Sequence, residues 1–238
     1  MKRVERMIEP TDGTEADGGI RPGVSASGLA VEGVRRPAEG DVPVPSEEMR
    51  VNVAETPLSE GELRERALES RCLYEGRVVT LRVDRVLLPS GKEGRREVVE
   101  HAPAVAILAE TEDKRLLLVR QYRHPVGGEI LEIPAGIVED GEAPAETAAR
   151  ELQEETGYAA RRIEPVARFY TSPGFCDEEI WLYYAADLVP SPLPQDEDEF
   201  IRLEFLPAES LPELLASSRI RDGKTLLALW WYAATRRP

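Results

Sequence analysis

The chain is poor in the residues from which many active sites are built. Among 238 residues it has 2 histidines, His101 and His124, and 2 cysteines, Cys72 and Cys176. So few histidines supply a zinc site badly and argue against a histidine-driven nucleophile relay. The two cysteines are far apart and fall in no metal or redox motif, so they read as reduced, buried thiols of a cytoplasmic protein. No apolar run approaches 18 residues, and no spanning helix is expected. The opening "MKRVERMIEP" has basic residues with no apolar run behind them, unlike a secretory signal. Positive charge is also scarce. Against 30 lysines and arginines stand 45 acidic residues, a formal net charge of −15. Such a surface repels phosphate backbones and anionic lipids, so neither nucleic acid nor membrane is an expected partner. A phosphorylated small substrate would meet the same repulsion unless divalent cations offset it.

Aromatic residues are missing from the first 58 positions. That acidic segment is rich in Gly, Pro and Ser ("DGTEADGGIRPGVSASG"), and its few aliphatics follow neither a helical nor an alternating period. It cannot bury enough surface to offset its ordering entropy, and we expect a disordered tail over 1–58. The expected folded domain is 59–238, with an N-terminal strand subdomain over about 70–101 and a core over about 102–238.

What is present there is a mixture of strand and helix patterns. "LSEGELRERALES" predicts a short helix with Ser59 as cap. From Arg71 onward, apolar and polar residues alternate between the turn signals "PSGKEG" and "TEDK". "AVAILAE" and "RLLLVRQ" are apolar enough for central strands, "EILEIP" is another, and strands recur at "ARFYTSP", "EIWLYYAADL" and "FIRLEFLP". A helix is predicted over 142–156, ended by Gly157, and two more over "AESLPELLASS" and "DGKTLLALWWYAATRR". Without regular strand–helix alternation, the expectation is an α/β (α+β) fold with a mixed sheet between helices.

The 142–156 helix carries an anomaly. Ala145, Ala148, Ala149 and Leu152 form a narrow apolar stripe, while Glu151, Glu154 and Glu155 crowd together beside it. Like charges at that spacing cost a helix about 0.2–0.5 kcal/mol per pair. They also sit toward the C-terminal end, where the helix dipole disfavours anions. A solvated acidic face would be the plain explanation. A cation site is the other, since Mg²⁺ takes a few carboxylates together with substrate phosphates.

The surroundings decide between these. Gly136, five residues, Glu142, seven residues and then "RELQEETGY" resemble the Nudix box, Gly-x5-Glu-x7-Arg-Glu-U-x-Glu-Glu-x-Gly-U, where U is a bulky aliphatic. Every fixed position matches, Leu152 fills the first U, and Tyr158 at the second is an aromatic departure. The resemblance implies a Nudix hydrolase with the α/β/α sandwich of that family, preceded by N-terminal antiparallel strands. It implies Mg²⁺ or Mn²⁺ held by Glu151, Glu154, Glu155 and the carbonyl of Ala135, with Arg150 orienting the carboxylates. Glu142 stands open between a structural role and a ligand role.

Further along, Pro173 in "FYTSPGFCDE" lies sixteen residues after Gly157, which resembles the ADP-ribose pyrophosphatase subgroup. The runs "YEGRVVTLRVDRVLLPSGKEGRREVVEH" and "LLLVRQYRHPVGGEILEIPAG" resemble it too, so the likeness covers about 70–235. One departure is "EHAPAVAI", where a glycine usually follows the proline. The implied substrate is ADP-ribose, with another nucleoside diphosphate sugar such as GDP-mannose as the alternative. A non-catalytic ADP-ribose sensor is the rival from another class. Arg120 and Arg123, at a strand end, are candidates to clamp phosphate or ribose, with Arg96 a weaker one. Tyr74 or Tyr122 would stack a base or pack in the core. In "PQDEDEFIRLEF" Glu197 and Glu199 are the two candidates for the general base. The resemblance further implies a homodimer.

Overall fold

The computed structural model describes residues 63–194 and 199–236; the expected tail and the first half of the predicted 59–70 helix lie outside them. The second half of that helix is a correction. Arg66–Glu75 is a strand, β1, hydrogen-bonded antiparallel to β2 (Val79–Leu87), which pairs antiparallel with β3 (Glu93–His101). "RALES" has helical propensity in isolation, but its backbone joins a ladder with Asp84–Leu87, and Ser70 Oγ donates to Asp84 at 2.6 Å. Tertiary pairing overrides a weak local preference. Cys72, on β1, is exposed, and Cys176 is half-buried; both are free thiols, so the expectation of buried cysteines fails. A three-stranded sheet with an outer strand open on both faces leaves Cys72 nothing to be buried against.

A seven-stranded mixed sheet forms the body. It comprises β4 (Ala104–Glu110), β5 (Arg115–Arg123), β6 (Gly128–Glu132), β7 (Ala135–Ile137), β8 (Tyr158–Tyr170), β9 (Glu179–Pro190) and β10 (Ile201–Pro207). The order is β10-β5-β4-β9-β8, with β6 on β5 and β7 on β4. β4 and β9 run parallel, and the other pairs are antiparallel. β4 is buried along its whole length, as a central strand covered on both faces must be. Its side chains alternate between two apolar layers. Val105, Ile107 and Ala109 pack with Leu117 and with Ala148 and Leu152 of α1 (Pro144–Thr156). Ala104, Ala106 and Leu108 pack with Leu118, Ile133 and Leu182 and with helices α2 (Leu211–Ala216) and α3 (Gly223–Thr235). The result is the expected sandwich of helix, mixed sheet and helices.

One feature of the sheet positions the site. β4 and β5 pair only at Ala109–Leu117 and Glu110–Leu116. Beyond that they diverge, β6 continuing on β5 and β7 on β4. The link from Glu132 to Ala135 crosses the split, and Ile107 N–H donates to Pro134 O at 2.8 Å. β7 and the first half of β8 were not legible as strands. "YAARRIEPV" is polar and contains Pro165, which is tolerated because β8 is an edge strand whose register shifts between Pro165 and Ala167.

At the paired end of β4 and β5, Glu110 is almost fully buried and accepts the hydroxyl of Tyr184, itself buried, while Lys114 Nζ lies 2.8 Å from its other oxygen. Burial pushes the Glu110 carboxyl up, but the bonds from Lys114 and Tyr184 outweigh it, and the net direction is down. A depressed folded-state pKa stabilises above the unfolded value of about 4.3 and is lost as pH falls through the folded one. Tyr184→Phe should therefore destabilise by about 1–3 kcal/mol at pH 7 and move the acid-unfolding midpoint to higher pH. Denaturant melts at pH 7 and an acid titration by circular dichroism check both.

Candidate active site

α1 starts two residues later than the pattern predicts. Pro144 suits the first helical position and holds Ala143 extended, at φ −80° and ψ 143°. Glu146 accepts from the Ala143 N–H at 3.1 Å. The helix ends as expected on Gly157 at φ 75°, whose N–H reaches Gln153 O at 2.9 Å.

Its buried stripe differs from the predicted one. Ala145 is exposed, and Thr147, Ala148, Leu152, Glu155 and Thr156 are buried. Glu155 is thus a carboxylate on the core-facing side of the helix, and it accepts the Ala135 N–H at 3.1 Å. Burial raises its pKa well above the ordinary value, with the charges of Glu199 and Glu151 adding to the effect and the Ala135 amide opposing it. Glu151 is pushed up to about 7, chiefly by burial; Arg150 pulls the other way, and the charges of Glu154 and Glu199 add to the rise.

Arg150 binds the cluster together. Its Nη1 donates to Glu151 Oε1 and Glu154 Oε2, both at 2.8 Å, while Nε and Nη2 donate to Glu142 at 3.1 and 3.0 Å. The Glu142 carboxyl is held down, first by Arg150 and also by the hydroxyl of Thr147. Gly136 closes the other side. A Cβ placed there would come within 2.0–2.4 Å of the Glu151 carboxylate, so the backbone approaches as near as it does only without a side chain.

The remaining candidates divide. Arg123 lines a cleft of about 840 Å³ that also includes Ala135, Gly136, Phe169, Ser172 and Lys224. Arg120, three residues earlier on the same strand, points to the opposite side and pairs with Glu204 of β10. The two arginines are therefore not brought together. Arg96 pairs with Glu65 and is not among the residues lining this cleft. Pro173 sits in the turn over 172–176, whose first residue lines the cleft and accepts the Phe175 and Cys176 N–H groups. Glu199 precedes β10, and its charge is felt by both Glu151 and Glu155; Glu197 lies outside the described residues. Tyr74 and Tyr122 are both more than half exposed, so neither packs in the core. Sequence reasoning missed Glu132, which pairs with Arg123 at the edge of the cleft, and Lys224 and Asp222, which continue the chain of ion pairs from it. A charge inside the apolar run "EILEIP" was the available signal.

Comparison with known proteins fits this geometry. Residues 100–229 match the NUDIX domain model, and 65–99 match the nucleoside diphosphate sugar hydrolase N-terminal domain. The chain belongs to the NUDIX family. It is 41% identical over 169 residues to the ADP-ribose pyrophosphatase of Bacillus subtilis (strain 168), covering 70% of this chain and 91% of that one. It is 44% identical over 167 residues to the methanol dehydrogenase activator of Bacillus methanolicus, covering 69% and 90%. The crystal structure of an ADP compounds hydrolase aligns with a TM-score of 0.66 at 23% identity, over 72% of this chain and 93% of that one, which shows a shared fold.

NUDIX hydrolases generally need divalent metals. The donor set here suits a hard cation: all its members are oxygens, and Glu151 and Glu155 are buried enough to favour a proton unless another positive charge arrives. Among the described residues no group of three or more His, Cys, Asp or Glu side chains already forms a cage. The carboxylates of Glu151 and Glu154 are turned to Arg150 instead.

Gly136→Ala tests the close approach. The clash falls on the tip of a flexible side chain, so the melting temperature should change by only a few degrees. Displacing the Glu151 carboxylate should cut turnover on the order of 10²-fold. Thermal melts and steady-state kinetics on the same preparation separate the two effects.

Proposed function

We propose that this NUDIX chain hydrolyses the diphosphate of ADP-ribose, giving AMP and ribose 5-phosphate. The observation that carries the reading is the partly buried glutamate cluster on α1, gathered by Arg150 beside a cleft with a cationic edge. The 41% identity to an ADP-ribose pyrophosphatase across most of both chains supports the substrate.

Glu151, Glu154, Glu155 and the Ala135 carbonyl would hold Mg²⁺ or Mn²⁺. Bound there, the metal neutralises diphosphate charge and acidifies water. The chain's own groups do the rest. Arg150 holds Glu151 and Glu154 side by side despite their repulsion. Arg123 supplies a fixed positive edge for a phosphate oxygen. Arg120 and Arg96, each already paired with a carboxylate away from the cleft, are not assigned substrate contacts. Pro173 shapes the turn that carries Ser172 to the cleft. Glu199 accepts the proton of the attacking water as the new P–O bond forms and the anhydride P–O bond breaks, with Glu197 on the same segment as the alternative base.

The same reading takes 1–58 as a tail and 59–238 as one catalytic domain, with the strand part and core meeting near residue 101; the two family matches, which meet at 99 and 100, support that division. It takes the enzyme as a cytoplasmic homodimer. The exposed Leu73, Tyr74 and Val78 of the N-terminal strand region give such a dimer apolar surface to bury. No helix among the described residues is long and apolar enough to cross a membrane.

Product analysis is the test. Purified protein with Mg²⁺ is incubated separately with ADP-ribose, GDP-mannose, NADH and diadenosine polyphosphates. Release of AMP and ribose 5-phosphate from ADP-ribose in preference to the others is expected; preference for another compound would remove the substrate assignment, and tight ADP-ribose binding without turnover would favour a sensor. Glu154→Gln should lower turnover by about 10²–10³-fold, with little change in melting temperature because it also removes a like-charge neighbour of Glu151. Near-normal activity would sink its assignment as a ligand.

A further inference from the structure

Glu132 has no place in the box chemistry, yet it is one of the most buried charged groups in the described chain, 1% exposed. It lies at the end of β6, where the sheet splits. Its two oxygens accept from Arg123 Nε at 2.8 Å and Nη2 at 3.0 Å, a bidentate pairing that fixes the guanidinium plane. The same carboxylate also accepts from Lys224 in the first turn of α3. Lys224 in turn lies 3.2 Å from Asp222, the α3 cap, whose carboxylate accepts from Thr225 N–H at 2.9 Å. Thr225 Oγ1 accepts the Ile133 N–H at 2.9 Å. Two adjacent residues of the crossing link, Glu132 and Ile133, are thus tied one each to two adjacent residues of α3, Lys224 and Thr225.

Stability alone does not account for this arrangement. A buried ion pair commonly does no better than apolar side chains of similar volume, because desolvation consumes the Coulomb gain. What the carboxylate does provide is direction. It occupies Nε and Nη2 of Arg123, so the edge bearing Nη1 is not used by this pair, and Arg123 lines the cleft together with Lys224. Burial and these two cations act on Glu132 with a net downward shift, so it stays ionised.

Resting on the proposed diphosphate hydrolysis, we infer that Glu132 is a positioning residue: it aims Arg123 at the cleft, where the guanidinium binds the diphosphate or sugar phosphate of a nucleoside diphosphate sugar, while Lys224 helps hold the carboxylate in place. Glu132 touches no substrate itself. Its effect on binding passes through Arg123.

A double-mutant cycle tests this. Wild type, Glu132→Gln, Arg123→Lys and the double variant are compared by three measurements. These are the Kd of α,β-methylene ADP-ribose by calorimetry, KM and kcat on whichever compound of the panel wild type cleaves, and the melting temperature. Glu132→Gln and Arg123→Lys are each expected to raise Kd and KM about tenfold. In the Arg123→Lys background, Glu132→Gln should add less than twofold, because the group it positions is already gone. Multiplying effects, or a Kd unchanged while the melting temperature drops, would overturn the inference and leave Glu132 a structural group. Should Glu132→Gln fail to fold, Glu132→Asp replaces it in the cycle, keeping the charge but withdrawing the carboxylate by one methylene. If wild type prefers a compound other than ADP-ribose, the substrate reading fails while the cycle, run on that compound and its methylene analogue, still decides the role of Glu132.

Discussion

Glutamates 151, 154 and 155 repel one another at the end of a helix whose dipole already disfavours them, and Arg150 is the group that makes their proximity tolerable. One guanidinium reaches Glu142 with two of its nitrogens and Glu151 and Glu154 with the third. Four carboxylates and one guanidinium still leave excess negative charge. Burial chiefly, with that excess charge adding to it, raises the proton affinity of Glu151 and Glu155. Neutralising the cluster with more arginines would have made a stabler helix and a poorer cation site. The fold around it is arranged to hold the strained group still: Gly136 lets β7 come against Glu151, and the Ala135 amide anchors Glu155.

That second anchor explains why the split between β4 and β5 matters. A fully paired sheet would satisfy its amides within the ladder. Where the strands part, the segment from Glu132 to Ala135 has backbone groups to spare. Ile133 gives its N–H to Thr225, Ala135 gives its N–H to Glu155, and Pro134 has none to give. The opening in the sheet therefore provides both the cleft and the backbone groups that orient residues around it. α1 and the first turn of α3 approach this segment from separate parts of the chain and are joined through it.

How much of this could be read from the chain follows from the range of each interaction. The box was legible because its spacing encodes one helix and the loop before it, and those constraints are local. β4 and β9 were legible because burial on both faces demands continuous apolar runs. The first half of the strand at Arg66–Glu75 was not, since "RALES" becomes a strand only through its partner β2, and the start of β8 was hidden by the polarity that an edge strand tolerates. Among site residues, Arg123 and Arg120 looked equivalent at a strand end. Pleating alone sends residues three apart to opposite faces, and pairing with Glu132 in one case and Glu204 in the other separates them further.

The charge balance at the cleft links these local and distant features. A molecule of net charge −15 must still admit a diphosphate, and the carboxylates of α1 add negative charge beside the cleft. Along the cleft edge at Arg123 the cations are few and each comes with a carboxylate, Arg123 and Lys224 with Glu132 and Asp222. Such an edge is close to neutral, so its attraction for phosphate depends on direction more than on net charge: the positive sides must face the cleft and the carboxylate must stay behind them. Burial of Glu132 achieves that ordering, because a carboxylate 1% exposed is screened from the substrate by the cations it holds. In an acidic protein, placing a negative charge behind a positive one is a way to recruit an anion without raising the net charge of the surface.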